Sequence, residues 1–191
     1  MNSIDRNIPY KNIIMRCDTY EVQPINTVDF QIRKYRKGDE NHWAEIECAI
    51  GDFGSIKEAK NYFIQNYNYS ELSERCFFAE TDNGKVVGTC IAWYDNKNDF
   101  TVSSLHWLAV LPEYQQKGIG RALIISVMNY YKVNDSLPVY LHTQPWSYKA
   151  IKLYYSLGFK LLQSDTFGNY TNEYNEATEI LKQYLPQEIL I

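Results

Sequence analysis

The stretch PEYQQKGIGRAL, residues 112–123, follows an apolar, strand-like run and leads into a helical pattern. Its two glycines, Gly118 and Gly120, carry no Cβ, so the oxygens of an anion can approach the backbone amides closely. Successive amides where a loop becomes a helix form a concave anion site, and the helix dipole reinforces it. The chemistry this spacing allows is phosphate binding; the plain alternative is a turn without a ligand. Two familiar phosphate loops are excluded. The nucleotide P-loop requires Gly-Lys-Ser/Thr, but here Lys117 precedes Gly118 and Ile119 follows it. The dinucleotide fingerprint GxGxxG needs a third glycine where this chain has Leu123.

The surrounding elements must hold that loop in place. DFQIRKY (29–35) alternates as a strand does, and GDENHWAEIECAI carries Trp43, Ile46, Ala49 and Ile50 at helical spacing. GSIKEAKNYFIQNY continues with a second helical pattern at Ala59, Tyr62 and Phe63. RCFFAETDNGKVVGTCIAWY is two β-rich runs around Asn83-Gly84, a pair that tolerates the positive φ angles of a two-residue hairpin turn. FTVSSLHWLAV (100–110) is a further strand, stopped by Pro112. Beyond the loop come an apolar helix (GRALIISVMNYY), a strand (PVYLHT), a helix ending at Gly158 (SYKAIKLYYSLG), a strand (FKLL) and a last helix (NEYNEATEILKQYL). Hairpins early and alternation with helices later imply an α/β (α+β) fold. The expected sheet is mixed and mostly antiparallel, with six to seven strands and helices on both faces.

Composition narrows the classes. A chain of 191 residues is long enough for one domain with a sizeable core. The net charge of −4 gives no general electrostatic reason to bind nucleic acid. No apolar stretch approaches the roughly 18 residues of a membrane span, and the N-terminal residues are too polar for a signal peptide. Cys17, Cys48, Cys76 and Cys90 lie far apart without a CxxC pair. They read as reduced thiols of a cytoplasmic protein and not as a metal site.

Gln115, Gly118 and Gly120 meet a third pattern, Gln/Arg-x-x-Gly-x-Gly/Ala. At this point the sequence resembles the GCN5-related N-acetyltransferase (GNAT) family. LHWLAVLPEYQQKGIGRALI resembles its acyl-CoA motif, YLHTQPWSYKAIKLYYSLGF its second motif, and DFQIRKYRKGDENHWAEI its opening strand and helix. Together these cover residues 28–163, as a core between an N-terminal extension (1–27) and a C-terminal strand and helix segment (164–191), all in one domain. The extension and the last helix offer a face for a homodimer. Many family members open the last motif helix with asparagine where this chain has Ser147; serine caps helices well, so the helix start is kept.

The resemblance implies a coenzyme A site and acetyl-CoA as co-substrate. The pyrophosphate would lie on the amides of Gln116, Lys117, Gly118, Ile119, Gly120 and Arg121, beside Gln115. The pantetheine arm would follow the edge of Leu108, Ala109 and Val110, at a bulge where the fourth strand splays from the fifth in a V. Ser147, Ala150 and Tyr154 repeat at helical spacing on the face that would meet this slot. The resemblance makes Tyr154 the acid that protonates the departing thiolate, since a phenol pKa near 10 suits that role. His106 is the matching candidate for the base, because imidazole titrates near neutrality; strand alternation would set it on the face of Leu108. Glu45, Glu47 and Glu80 compete with it, and His142 is a further alternative. The implied acceptor is a small-molecule or peptide amine, attacking the thioester directly in a ternary complex. Trp43, Phe53, Tyr62, Phe63, Tyr94 and Trp146 are candidates for an aromatic-lined acceptor pocket, or for ordinary packing. A coenzyme A-binding or sensing module without efficient turnover is the alternative function.

Overall fold

The computed structural model describes residues 7–67 and 69–191. Its elements in chain order are β1 (Ile13–Cys17), β2 (Phe30–Lys34), α1 (Glu40–Ile50), α2 (Ile56–Asn66), α3 (Tyr69–Arg75), β3 (Cys76–Thr81), β4 (Val86–Lys97) and β5 (Phe100–Val110). α4 (Ile119–Val133), β6 (Val139–Thr143), α5 (Tyr148–Tyr155), β7 (Lys160–Leu161) and α6 (Tyr174–Leu181) follow. The sheet has seven strands in the order β2-β3-β4-β5-β6-β1-β7 and is mixed: the β5–β6 pair is parallel and the pairs of β2 with β3, β3 with β4, and β1 with β6 and β7 are antiparallel. Among the described residues no helix is long and apolar enough to cross a membrane.

The chain divides into two compact units, and β4 and β5 run through both. The first comprises Val22–Ala92 and Leu105–Tyr130. Here Phe77 and Phe78 are neighbours on β3 and so point to opposite faces. Phe77 meets Tyr130 of α4 at 6.5 Å between ring centroids, while Phe78 meets Tyr35, which stacks on Phe63 of α2. Helices therefore cover both faces of this unit. Gly88 of β4 allows the close approach on the α4 side: a Cβ there would lie 3.1 Å from Ala109 O and from Leu123 Cδ1. The β3–β4 connection departs from the two-residue turn expected of Asn83-Gly84. Only Gly84 takes a positive φ, +81°, and its amide donates to Thr81 O at 2.8 Å while Thr81 N donates to Lys85 O. A turn followed by one left-handed residue is the longer type of hairpin, with Gly84 at the bulge.

The second unit comprises residues 7–21, Trp93–Ser104 and Tyr131–Ile191. Its centre is β1, in the segment that reads from sequence as an appended extension. That extension begins at residues 1–6, which lie outside the described residues. β1 pairs with β6 from Ile13↔Thr143 to Cys17↔Val139 on one side and with β7 on the other. Ile13, Ile14, Met15 and Cys17 are completely buried. A strand covered on both faces reads as a continuous apolar run without alternation, so periodicity does not mark IIMRC as a strand. Ile14, Tyr140 and Phe167 form a core cluster with Val102, Leu162 and Tyr170 packed against it. Glu173 fastens α6 to the start of β1: its carboxylate accepts from Asn12 N and Lys11 Nζ, at 2.8 and 2.7 Å.

Met15 tests whether β1 belongs to the core. Met15→Ala removes a fully buried side chain and should lower unfolding free energy by about 2–5 kcal/mol in urea denaturation. A loss below about 1 kcal/mol would show the strand to be peripheral.

Candidate active site

In the first unit, β5 ends as Leu111 N donates to Val87 O at 2.9 Å. One turn of 3-10 helix over Pro112–Tyr114 redirects the chain toward α4. Gln115 Nε2 donates to Val110 O at 3.0 Å, so this side chain braces the loop against the strand end. Val110 O, on the edge expected to meet the pantetheine arm, already accepts that bond. Gln116 and Gly118 both take left-handed backbone, at φ +63° and +82°. The bend is completed as Ala122 N donates to Gly118 O at 3.0 Å and α4 begins at Ile119. The first amides of any α-helix have no acceptor within the helix. A Cβ at Gly118 would meet nothing within 4 Å, so this position faces open space, and Gln116, Lys117 and Arg121 are exposed around it. Ile119 is buried at 2 % exposure and Gly120 is half-buried, so they anchor the helix start. The arrangement fits a pyrophosphate: an open glycine, a helix N-terminus and two side-chain cations, Lys117 and Arg121.

Along β5, Leu108 is half-buried and Ala109 buried. Trp107, within the strand, takes left-handed backbone at φ +51°. The inference that His106 and Leu108 share a face assumed regular alternation, and this left-handed residue falls between them. Trp107 Nε1 donates to Tyr67 Oη at 2.5 Å. Its ring lies 5.2 Å from Trp43, 5.8 Å from Phe53 and 5.5 Å from Tyr62, and Trp43 also packs on Phe63 at 5.0 Å. Four of the six rings singled out from sequence thus converge on α1, α2 and β5. Tyr94 and Trp146 belong to the second unit, against Tyr131 and Tyr10 respectively. Sequence reasoning missed Trp107 and Tyr67 as members of the cluster. The helical pattern reached Tyr62 and Phe63 and no further.

The candidate bases sit in different surroundings. His106 is half-buried, and its carbonyl accepts a weak bond from Cys90 Sγ at 3.8 Å. Glu45 is exposed beside His42 at 3.7 Å. Glu80 is engaged by Arg33 Nε at 2.5 Å, and the same guanidinium grips both oxygens of buried Asp39 at 2.6 and 2.9 Å. That hydrogen bond from Arg33 holds the Glu80 carboxyl below the usual carboxylate range. Glu47 is completely buried on α1, and neither of its carboxylate oxygens has a hydrogen-bond partner. Burial pushes its pKa well up, and Asp52 adds to the effect.

In the second unit, Tyr154 of α5 is 7 % exposed, with Phe159 at 5.8 Å, and its carbonyl accepts from Leu157 N and Phe159 N. Tyr155 is half-buried with Lys160 Nζ over its ring at 5.1 Å. Ser147 stands at the helix start but makes no capping bond; its hydroxyl accepts from Gln144 Nε2 at 2.9 Å within a preceding 3-10 turn, Pro145–Ser147. The expected serine cap is therefore replaced by that turn. Ala150 is half-buried on the same helix. His142 stacks on Tyr170 at 3.8 Å, with its Nδ1 3.3 Å from Asn12 Oδ1.

With this geometry in hand, residues 35–159 match the Acetyltransferase (GNAT) family, and the chain belongs to it. The N-acetylaspartate synthetase of Xenopus tropicalis is 29 % identical over 150 residues, 78 % of this chain and 49 % of that protein. The N-terminal acetyltransferase complex ARD1 subunit homolog of Dictyostelium discoideum is 30 % identical over 140 residues, 67 % of this chain and 68 % of that one. This chain thus spans about half the length of the frog relative. The fold also resembles the aminoglycoside N-acetyltransferase AAC(6')-Iy, solved with CoA, at a TM-score of 0.60 and 20 % identity, over 74 % of this chain and 94 % of that one.

The Arg33 pair has a pH signature. Because the folded pKa of Glu80 is lowered, its stabilisation is complete above the ordinary glutamate pKa of about 4.3 and fades as pH falls through the depressed value. Glu80→Gln should cost about 1.5–3 kcal/mol at pH 7 and flatten the decline of stability below about pH 4. Stability curves that coincide with those of the wild type at every pH would show that Arg33 draws nothing from Glu80.

Proposed function

We propose that the chain transfers an acetyl group from acetyl-CoA to a primary amine by direct attack in a ternary complex. The observation that carries this reading is the Gln115–Arg121 loop: two left-handed residues open a glycine to solvent directly before a long helix. Gln116, Lys117, Gly118, Ile119, Gly120 and Arg121 would hold the pyrophosphate through main-chain amides, with Lys117 and Arg121 adding charge. Leu108, Ala109 and Val110 would guide the pantetheine arm, and Ser147 and Ala150 would flank it from α5. Bound acetyl-CoA supplies an activated thioester. A backbone amide near Leu108 is the group proposed to stabilise the developing oxyanion. Tyr154 would give its phenolic proton to the departing sulfur, and His106 would take a proton from the amine nitrogen. Two features support Tyr154 over its neighbour. It is buried, whereas Tyr155 is partly open and covered by Lys160.

Two measurements test this reading. Gly118→Glu and Gly120→Glu each place a side chain and a negative charge on the phosphate site. Calorimetry with acetyl-CoA should show affinity falling at least about tenfold, or 1.4 kcal/mol. Folded variants that bind as the wild type does would reduce the loop to a turn. Tyr154→Phe should lower turnover about 10²–10⁴-fold with acetyl-CoA affinity nearly unchanged, and Tyr155→Phe should do much less. The opposite ranking of the two tyrosines would remove Tyr154 from the chemistry.

A further inference from the structure

Glu47 is the least compensated group in the first unit. It is 0 % exposed, and both carboxylate oxygens lack a hydrogen-bond partner. Trp43, one turn earlier on the same stripe of α1, is also 0 % exposed and has an indole N–H without a partner. A buried polar group without a partner costs on the order of 1–3 kcal/mol, and more when it is charged. Among the described residues, the charge that acts on Glu47 is that of another carboxylate, Asp52, which adds to the cost of ionising it. Its other titratable neighbours, Tyr67, Cys76 and Cys90, are near enough for its charge to raise their pKa values. Two of them lead to the irregular part of β5: Tyr67 accepts from the Trp107 indole, and Cys90 donates to His106 O. Glu47 stands one turn after Trp43, whose ring packs on Phe53, Tyr62 and Trp107, and those three remain partly open to solvent.

A group that would satisfy this arrangement is a cation with an apolar body. An ammonium supplies the charge that a buried carboxylate lacks, and the faces of Trp43 and Trp107 attract it as well. An anionic acceptor would oppose ionisation of Glu47 and add a second uncompensated charge. A neutral alcohol would leave most of the burial cost in place. We propose that Glu47 with the rings of Trp43, Phe53, Tyr62 and Trp107 is the acceptor subsite, and that it takes a primary ammonium on an aromatic or aliphatic tail without a carboxylate. This rests on the acetyl-transfer reading above and names its substrate class.

The proton inventory is consistent with that role. Burial favours the neutral form of the carboxyl. An arriving ammonium restores the carboxylate, and the carboxyl proton leaves to solvent. A proton then passing from nitrogen to Glu47 breaks an N–H bond, forms an O–H bond and leaves the nitrogen lone pair free. It also erases two charges, which dry surroundings favour. Between ammonium and amide the nitrogen gives up two protons: Glu47 takes the first, and His106 is left the second.

The test is a fluorescence titration of the full chain, read from its tryptophans, with and without saturating coenzyme A. The probes are 2-phenylethylamine, its neutral isostere 2-phenylethanol, and L-aspartate. The amine should bind at least about tenfold more tightly than the alcohol, and aspartate should not compete. Glu47→Gln, isosteric and uncharged, should remove the preference of amine over alcohol while acetyl-CoA still binds in calorimetry. Equal binding of amine and alcohol, no binding of the amine, displacement by aspartate, or an unchanged preference in Glu47→Gln would each overturn the proposal. If that variant does not fold, the comparison of amine with alcohol on the wild type decides. Loss of acetyl-CoA binding in the wild type would count against the acetyl-transfer reading instead, because the amine titration is read without coenzyme A as well.

Discussion

The left-handed backbone of Trp107 is the constraint around which the first unit is arranged. A bulky L-residue at φ +51° costs about 1–2 kcal/mol relative to ordinary strand backbone, and it persists only where surrounding contacts hold it. Those contacts are explicit: the indole N–H on Tyr67 Oη and ring packing on Trp43, Phe53 and Tyr62. Each aromatic pair contributes about 0.5–1.5 kcal/mol beyond its buried area, so the three together offset the strain. The side chains of α1 and α2 thus fix the backbone of β5, where a cofactor arm and an oxyanion would be held. An irregular strand next to a catalytic slot is a common way of redirecting groups toward it.

Glu47 and Arg33 show two opposite ways of treating buried charge in the same unit. Arg33 is nearly enclosed, but both Asp39 oxygens and one Glu80 oxygen meet its donors, so the cost of dehydration is returned in short, charge-assisted bonds. Asp39 in turn accepts from Arg36 N, which ties the network to the start of α1. This cluster orders the β2–α1 corner. Glu47, on α1, is left without such partners among the described residues. A fold that satisfies one carboxylate three times and its neighbour not at all is not simply short of donors, and the difference locates where an incoming group has most to gain.

The strand, bend and helix around the glycine pair were legible because their information is local. A glycine pair, a strand before it and a helical pattern after it occupy one short stretch. Tyr154 and Tyr155 were separable for a similar reason: helical spacing alone assigns them to different faces. What stayed hidden depends on contacts distant in sequence. β1 is buried on both faces and so has no alternation to detect. On α1, the pattern of Trp43, Ile46 and Ile50 suggested Ala49 as a core residue. The buried face instead takes Ala44 and Glu47, and Ala49 is exposed. Hydrophobic periodicity assigns a glutamate to solvent, so a buried carboxylate on a helix is among the features it must miss. Trp107 was read as an ordinary strand residue, because nothing in its neighbours requires a positive φ.

That contrast bears on how the two halves of recognition are built. The proposed phosphate site would use backbone amides and would need only that positions 118 and 120 stay small, so it would tolerate any side chains that preserve the bend. The proposed acceptor side would be assembled from side chains of α1, α2 and β5, where each ring packs on its neighbours. Changing one ring would move Trp107 and with it the strand that carries Leu108. On the proposed reading, acceptor preference and backbone strain would therefore be coupled within the first unit, whereas cofactor binding at the loop would be buffered from both by the regular, buried start of α4, where Ile119 and Leu123 seat the helix against Gly88.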